Sequence, residues 1–138
     1  EDVEVDFLLI DTQGSLTKEM AQFLFQSSLI ITPCRASRDD IVGQGWIEVF
    51  LKQSNQNIKK APILTVLNGV NKRSSILSHV IEQLKEDGVQ VAETCISQRV
   101  CFAETNVNKI SVIGYNKQAT EEIVDLTNEA LNLIKSET

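Results

Sequence analysis

Apolar runs and segments of helical period alternate along the whole chain. The run VEVDFLLID (3–11) is continuous from Phe7 to Ile10 rather than alternating, which predicts a strand with both faces covered. TKEMAQFLFQ (17–26) then spaces Met20, Phe23 and Leu24 on one helical face, and SLIITP (28–33) is a second short buried strand. RDDIVGQGWIEVFLKQ (38–53) reads as a helix with Asp39 or Asp40 as N-cap and Ile41, Trp46, Val49 and Phe50 for packing, weakened by Gly43 and Gly45. A polar linker, SNQNIKK (54–60), leads into a third strand, PILTVLN (62–68). SSILSHVIEQLKEDG (74–88) has the clearest helical stripe, Ile76, Leu77, Val80, Ile81 and Leu84, with Ser74 or Ser75 as cap and Gly88 as its left-handed terminus. VQVAETCI (89–96) predicts a fourth strand, followed by a short helix near 99–105 and an irregular stretch containing SVIGY (111–115). The last helix, 120–135, is capped by Thr120, has Glu121 and Glu122 at its N-terminus, and turns Ile123, Leu126, Ala130, Leu133 and Ile134 inward.

Four strand–helix alternations predict an α/β fold, a mostly parallel sheet with helices on both faces, within a single domain over 1–138. In such sheets ligands gather beyond the carboxyl ends of the strands. The residues there are Asp11 to Gly14, Pro33 to Asp40, Asn68-Gly69 and Ser97 to Arg99.

Composition narrows the chemistry. No apolar stretch approaches the ~20 residues that span a bilayer. A net charge of −6 gives no overall attraction to phosphate backbones, so contact with nucleic acid would need a local patch. Arg35, Arg38, Lys72, Arg73 and Arg99 fall in loops at one predicted sheet edge and supply that patch, or are ordinary solvated surface. Cys34, Cys95 and Cys101 form no C-x-x-C pair and His79 is the only histidine, so no zinc ligand set exists; the thiols read as reduced core residues of a cytoplasmic protein. The chain starts at Glu1 with its only methionine inside a helical segment, and is expected to be part of a longer protein.

An apolar strand that ends in Asp11 can present a carboxylate to a hydrated Mg²⁺, while Gly14 lets a backbone N–H approach a terminal phosphate. The same residues also suit a simple turn that caps the next helix. The order of motifs adds to this. DFLLIDTQGSLTKEMAQFLFQSSLIITPCRASRDDI resembles the ParA/MinD family of deviant-Walker ATPases, in particular the plasmid and chromosome partition subgroup. There an apolar strand ends in Asp before a small-residue turn, and a later strand ends in Pro ahead of a loop with an Asp, here Pro33 and Asp40. ILTVLNGVNKRSS resembles that family's strand ending in L-N before a basic loop, VAETCISQRVCFAE its segment around I-P-Q-R, and the final acidic helix its last helix. Ser97 stands where the family usually has Pro, and Asn108-Lys109 where a Gly is expected before SV.

The resemblance implies a P-loop NTPase-like fold, incomplete here: no G-x-x-x-x-G-K-[ST] or K-G-G-x-G-K-T occurs, so the first strand and the phosphate loop are expected to lie outside the chain. It implies that Asp11 binds Mg²⁺ through water and that Gln13 and Gly14 sense the terminal phosphate. Asn68 would hydrogen-bond adenine, Ile96, Ser97, Gln98 and Arg99 would close over base and ribose, and Asp40 would line the nucleotide and a dimer interface. Taken singly, Asn68 also suits a strand end, Arg99 a surface pair with Glu104, and Asp40 a cap. The implied function is ATP-dependent homodimerisation that partitions plasmid or chromosomal DNA, with ATP and Mg²⁺ as cofactors. A ParB-like or other centromere or cargo adaptor is the implied partner, with nonspecific DNA contact, a nucleoid-associated cytoplasmic location and no membrane. A non-catalytic interaction or dimerisation module of the same fold is the alternative.

Overall fold

The chain's structure, a computed structural model, describes residues 5–12, 17, 23–54 and 61–136. In chain order they form β1 (Ile30–Cys34), α1 (Arg38–Ser54), β2 (Ile63–Val70), α2 (Ser75–Glu86), β3 (Ile96–Ser97), α3 (Val100–Asn108) and α4 (Lys117–Ser136). The strands make one parallel sheet in the order β1-β2-β3.

β2 is the centre. In register, Thr32 lies beside Thr65 and Cys34 beside Leu67. Alternation sends Leu67 to a cluster with Cys34, Leu77, Val80 and Leu84, under α2. Leu64 and Val66 go to the opposite face, against Phe102 of α3 and Ile123, Leu126 and Leu133 of α4. The helices therefore cover β2 from both sides, as the strand–helix alternation predicts.

β1 is different. It was expected to be buried throughout, yet only Ile30, Thr32 and Cys34 are, while Ile31 and Pro33 face out. Among the described residues β1 has a neighbour on one edge and helices over one face, so it is an edge strand with period-two burial. Ile30 donates its N–H to Pro62 O at 3.0 Å, so in a parallel ladder residues 30, 32 and 34 bond toward β2 and 31 and 33 turn away. Pro33 thus lacks its N–H on the side where no bond is made.

Two predicted strands need correction. Residues 5–11 of the run expected over 3–11 are in no strand, and Phe7, Leu8, Leu9 and Ile10 are exposed. A run of that composition needs a hydrogen-bonded neighbour and a covered face, and no described segment gives it either. The strand expected over 89–96 shrinks to β3 plus a single bridge between Val91 and Thr65. Its chain takes five residues, Val91 to Ile96, to advance as far as β2 does in three, Thr65 to Asn68. The extra residues bulge, and the N–H groups of Glu93 and Thr94 go instead to the Glu129 carboxylate on α4, at 2.8 and 3.2 Å.

Of the helix expected over 17–26, residues 23–26 are helical; apart from Thr17 the remainder lies outside the described residues. The caps also shift. Ser37, not Asp39 or Asp40, caps α1, its Oγ accepting from Asp40 N at 3.3 Å. Asn116, not Thr120, caps α4, accepting from Ala119 N at 3.0 Å. Ser74 caps α2 as expected, Gly88 follows it at φ 77°, but Ile76 lies on its exposed side. All three cysteines are buried and free.

α3 ends on Lys109 at φ 54° and ψ 41°, with Ile110 N donating to Thr105 O at 3.0 Å. This is a left-handed helix terminus that favours glycine, and it falls where the resembled family is expected to carry Gly. Lys109→Gly should therefore stabilise the fold by about 0.5–1 kcal/mol. Thermal denaturation measures it; a lowered midpoint would contradict the left-handed terminus.

Candidate functional site

At the carboxyl ends of β1 and β2 the surface dips into an open depression of about 480 Å³ lined by Pro33, Cys34, Arg35, Ser37, Asp39, Asp40 and Asn68. Its near wall is the turn from β1 into α1. Asp40 Oδ2 accepts from Arg35 N at 3.1 Å while Ser37 Oγ accepts from Asp40 N, so side chain and backbone brace each other across the turn. The floor is Cys34, whose thiol is pushed up to about 11 by burial first and by the Asp40 charge second. It stays a thiol at neutral pH and carries no nucleophilic role. Asn68 ends the wall formed by β2, exposed just before Gly69, whose φ of 67° lets the strand turn.

Beyond Gly69 the sheet edge is organised by a residue that sequence reasoning placed only as a favourable charge at a helix start. Glu122 lies on the inward side of α4 with its side chain 8% exposed. Its Oε1 accepts from Ser97 Oγ at 2.7 Å, Lys72 Nζ at 2.8 Å and Arg99 Nη2 at 3.0 Å, and its Oε2 from Ser97 N at 3.0 Å. Burial is the largest single effect on this carboxyl and opposes its charge. The bonds from Lys72, Ser97 and Arg99 outweigh it together and hold the group at about 2, well below its ordinary 4.5. One carboxylate thereby joins the turn after β2, the end of β3, the start of α3, and α4. The signal was in the sequence: Glu122 shares the stripe of Ala119, Ile123, Leu126 and Ala130, where an unpaired charge would not be tolerated.

The predicted site residues divide accordingly. Asp40 and Asn68 meet at the depression. Ile96 is buried in the sheet, Ser97 is bound to Glu122, and Gln98 is exposed with its N–H on Val70 O at 2.9 Å. Arg99 is turned inward, Nη1 on Gln118 Oε1 at 2.8 Å and Nη2 on Glu122, rather than paired with Glu104. Glu104 instead accepts from the Tyr115 hydroxyl at 3.3 Å. Lys72 and Arg99 are thus spent within the fold, which leaves Arg35, Arg38 and Arg73 as the remainder of the proposed basic patch. Asp11 is exposed in an irregular segment, and Gln13 and Gly14 lie outside the described residues. Among the described residues no group of three acidic, cysteine or histidine side chains is placed to hold a metal ion.

The fold and the depression define an α/β protein that has, among the described residues, a three-stranded parallel sheet and a cleft at the carboxyl ends of β1 and β2. No protein-family model matches the chain, and no curated protein matches it. No helix among the described residues is long and apolar enough to cross a membrane.

Because the folded carboxyl of Glu122 titrates below its unfolded counterpart, its ionised form stabilises the fold above pH 4.5, and the contribution is lost as pH falls from 4.5 through about 2. A difference of that size corresponds to about 3 kcal/mol at neutral pH. Denaturant unfolding at several pH values should show wild type well above Glu122→Gln at pH 7 and the gap closing toward pH 2. A gap independent of pH would mean that the carboxylate's charge contributes nothing.

Proposed function

We propose that this chain is the C-terminal part of a ParA-type ATPase, which binds ATP with Mg²⁺, dimerises, and partitions plasmid or chromosomal DNA through a centromere or cargo adaptor. One observation carries the reading. Pro33, Asp40 and Asn68, drawn from two separate motifs of the resembled family, line one depression at the carboxyl ends of adjacent parallel strands. Its volume of about 480 Å³ suits part of a nucleotide. The Asn68 amide, with donor and acceptor on one exposed group, suits a purine edge.

The fit is good for the base and not for the metal. Asp11 is the one residue assigned to Mg²⁺, and among the described residues no group of three acidic, cysteine or histidine side chains is placed to hold a metal ion, so the metal assignment rests on the D-T-x-G-S-L motif alone. No step of chemistry is drawn through it.

The alternative, a non-catalytic interaction module of the same fold, is favoured by the exposed apolar side chains Phe7, Leu8, Leu9, Val42 and Trp46. Such surface suits a protein partner.

Nucleotide binding by the complete encoded protein separates the two. Tight binding of ATP is expected for the first reading, and its absence overturns that reading in favour of the second. Asn68→Ala should weaken ATP about tenfold and GTP little, because an amide that reads a base edge is lost only for the base it fits. Equal weakening of both would reduce Asn68 to a strand end. Residues 1–138 alone should release phosphate from ATP no faster than background, since the sequence has no glycine-rich loop to cradle phosphates.

A further inference from the structure

Glu122 is an expensive way to hold a helix against a sheet. Replacing a buried ion pair by apolar residues of similar volume is often neutral or stabilising, and its neighbours on the stripe are Ala119, Ile123, Leu126 and Ala130. What a carboxylate supplies that a leucine does not is direction. β3 is only two residues long, so its ladder cannot orient the chain that leaves it. After Ser97 one backbone bond remains to β2, from Gln98 N to Val70 O. Further restraint comes from Gln118, which holds Arg99 Nη1, and above all from Glu122, which takes both the N–H and the hydroxyl of Ser97 and the guanidinium of Arg99, while Lys72 ties the same oxygen to the turn that follows Asn68 and Gly69.

The consequence concerns which side chains are left to meet a ligand. Arg99 has two of its nitrogens on Gln118 and Glu122, so it is an anchor of the loop. Gln98, between two anchored residues, is exposed. Asn68 stands in register with Ile96, two positions before Gln98 on the neighbouring strand, and is exposed too. Two exposed side-chain amides, each a donor and an acceptor, thus stand near the carboxyl end of β2 and just after β3, with Gln98 tied to β2 by its bond to Val70 and flanked by the two residues that Glu122 holds.

Resting on the nucleotide reading above, we propose that Glu122 is the positioning residue for base selection: by clamping Ser97, Arg99 and Lys72 it fixes Gln98 relative to Asn68, and that pair of amides selects a purine by its edge. The clamp touches no ligand. It acts on selectivity because a hydrogen-bonding pair discriminates only while its geometry is held.

The test uses the complete encoded protein, with ATP and GTP as probes, and amide hydrogen exchange without nucleotide. Glu122→Gln keeps the size and can still accept from Ser97, but loses the charge that gathers Lys72 and Arg99. It should cut the ratio of ATP to GTP affinity about tenfold and speed exchange at Ser97 and Gln98. Lys72→Met, which changes only a half-exposed ammonium, should shift both readouts the same way by less, and serves if the first variant does not fold. Two results overturn the proposal: faster exchange with an unchanged affinity ratio, which would make Glu122 purely structural, and unchanged exchange, which would mean that it does not hold the loop. Wild-type protein that binds neither nucleotide overturns the functional reading itself and the base pair with it, an outcome the exchange data cannot mimic.

Discussion

Leu64, Thr65, Val66 and Leu67 are four successive residues with almost no exposed surface, and a strand can achieve that only when it is paired on both edges and roofed on both faces. Everything else is arranged to meet that constraint. α2 covers one face and α3 with α4 the other, while β1 and the chain around Val91 and β3 take the two edges. The one polar residue in the run, Thr65, has its hydroxyl within 3.0 Å of Thr32 and 3.3 Å from Gln44 Oε1, so a buried hydroxyl is matched by the next strand and by α1. A one-residue slip of β1 would remove Thr32 and leave Gln44 to match it, which makes the Thr32–Thr65 contact a register pin.

The β3 side is finished by carboxylates rather than by strand pairing. Glu122 and Glu129 are two turns apart on α4 and so share a face; Glu129 accepts the N–H groups of Glu93 and Thr94, and Glu122 that of Ser97. Charge-assisted bonds of this kind are shorter and stronger than amide–amide ones, and two of them substitute for a stretch of sheet. The bulge at Glu93 and Thr94 is therefore held firmly although it belongs to no regular element.

How much of this was legible follows from which forces are local. Helical stripes and the β2 run show in the sequence because they depend on periodicity, and α2 with Ser74 and Gly88 is close to its expectation. Caps are harder: Ser37 and Asp40 both suit the start of α1, and only the turn geometry decides that Ser37 caps while Asp40 reaches back to Arg35. The clamp is harder to read, because Glu122 beside Glu121 suits the start of a helix as a favourable charge and needs no partner in that role. The position of Glu122 on the inward stripe carried the information, and a carboxylate there must find partners. Lys72 and Arg99, expected in a basic patch or on ordinary solvated surface, are the partners that carboxylate finds. The apolar run at 5–10 illustrates a different limit, since composition reports what a segment could bury and not whether a neighbour is there to bury it.

The two sides of the molecule are consequently unequal, and the inequality bears on any ligand. Toward β3, Glu122 and Glu129 lock the loop and bulge from within, so Asn68 and Gln98 are held without help from another molecule. Toward β1, the sheet among the described residues stops at a five-residue strand whose outer edge lacks the Pro33 donor, and Leu9 is 93% exposed in the run that leads to Asp11. Leaving apolar area in water costs about 25 cal/mol for every Å² that a contact would have covered. On the nucleotide reading proposed above, Asn68 and Gln98 would meet the base from positions already held, while the Asp11 side would depend on a contact that covers the exposed run. Affinity would then come from the held side, and the apolar area that a covering contact removes from water on the other side would add to it.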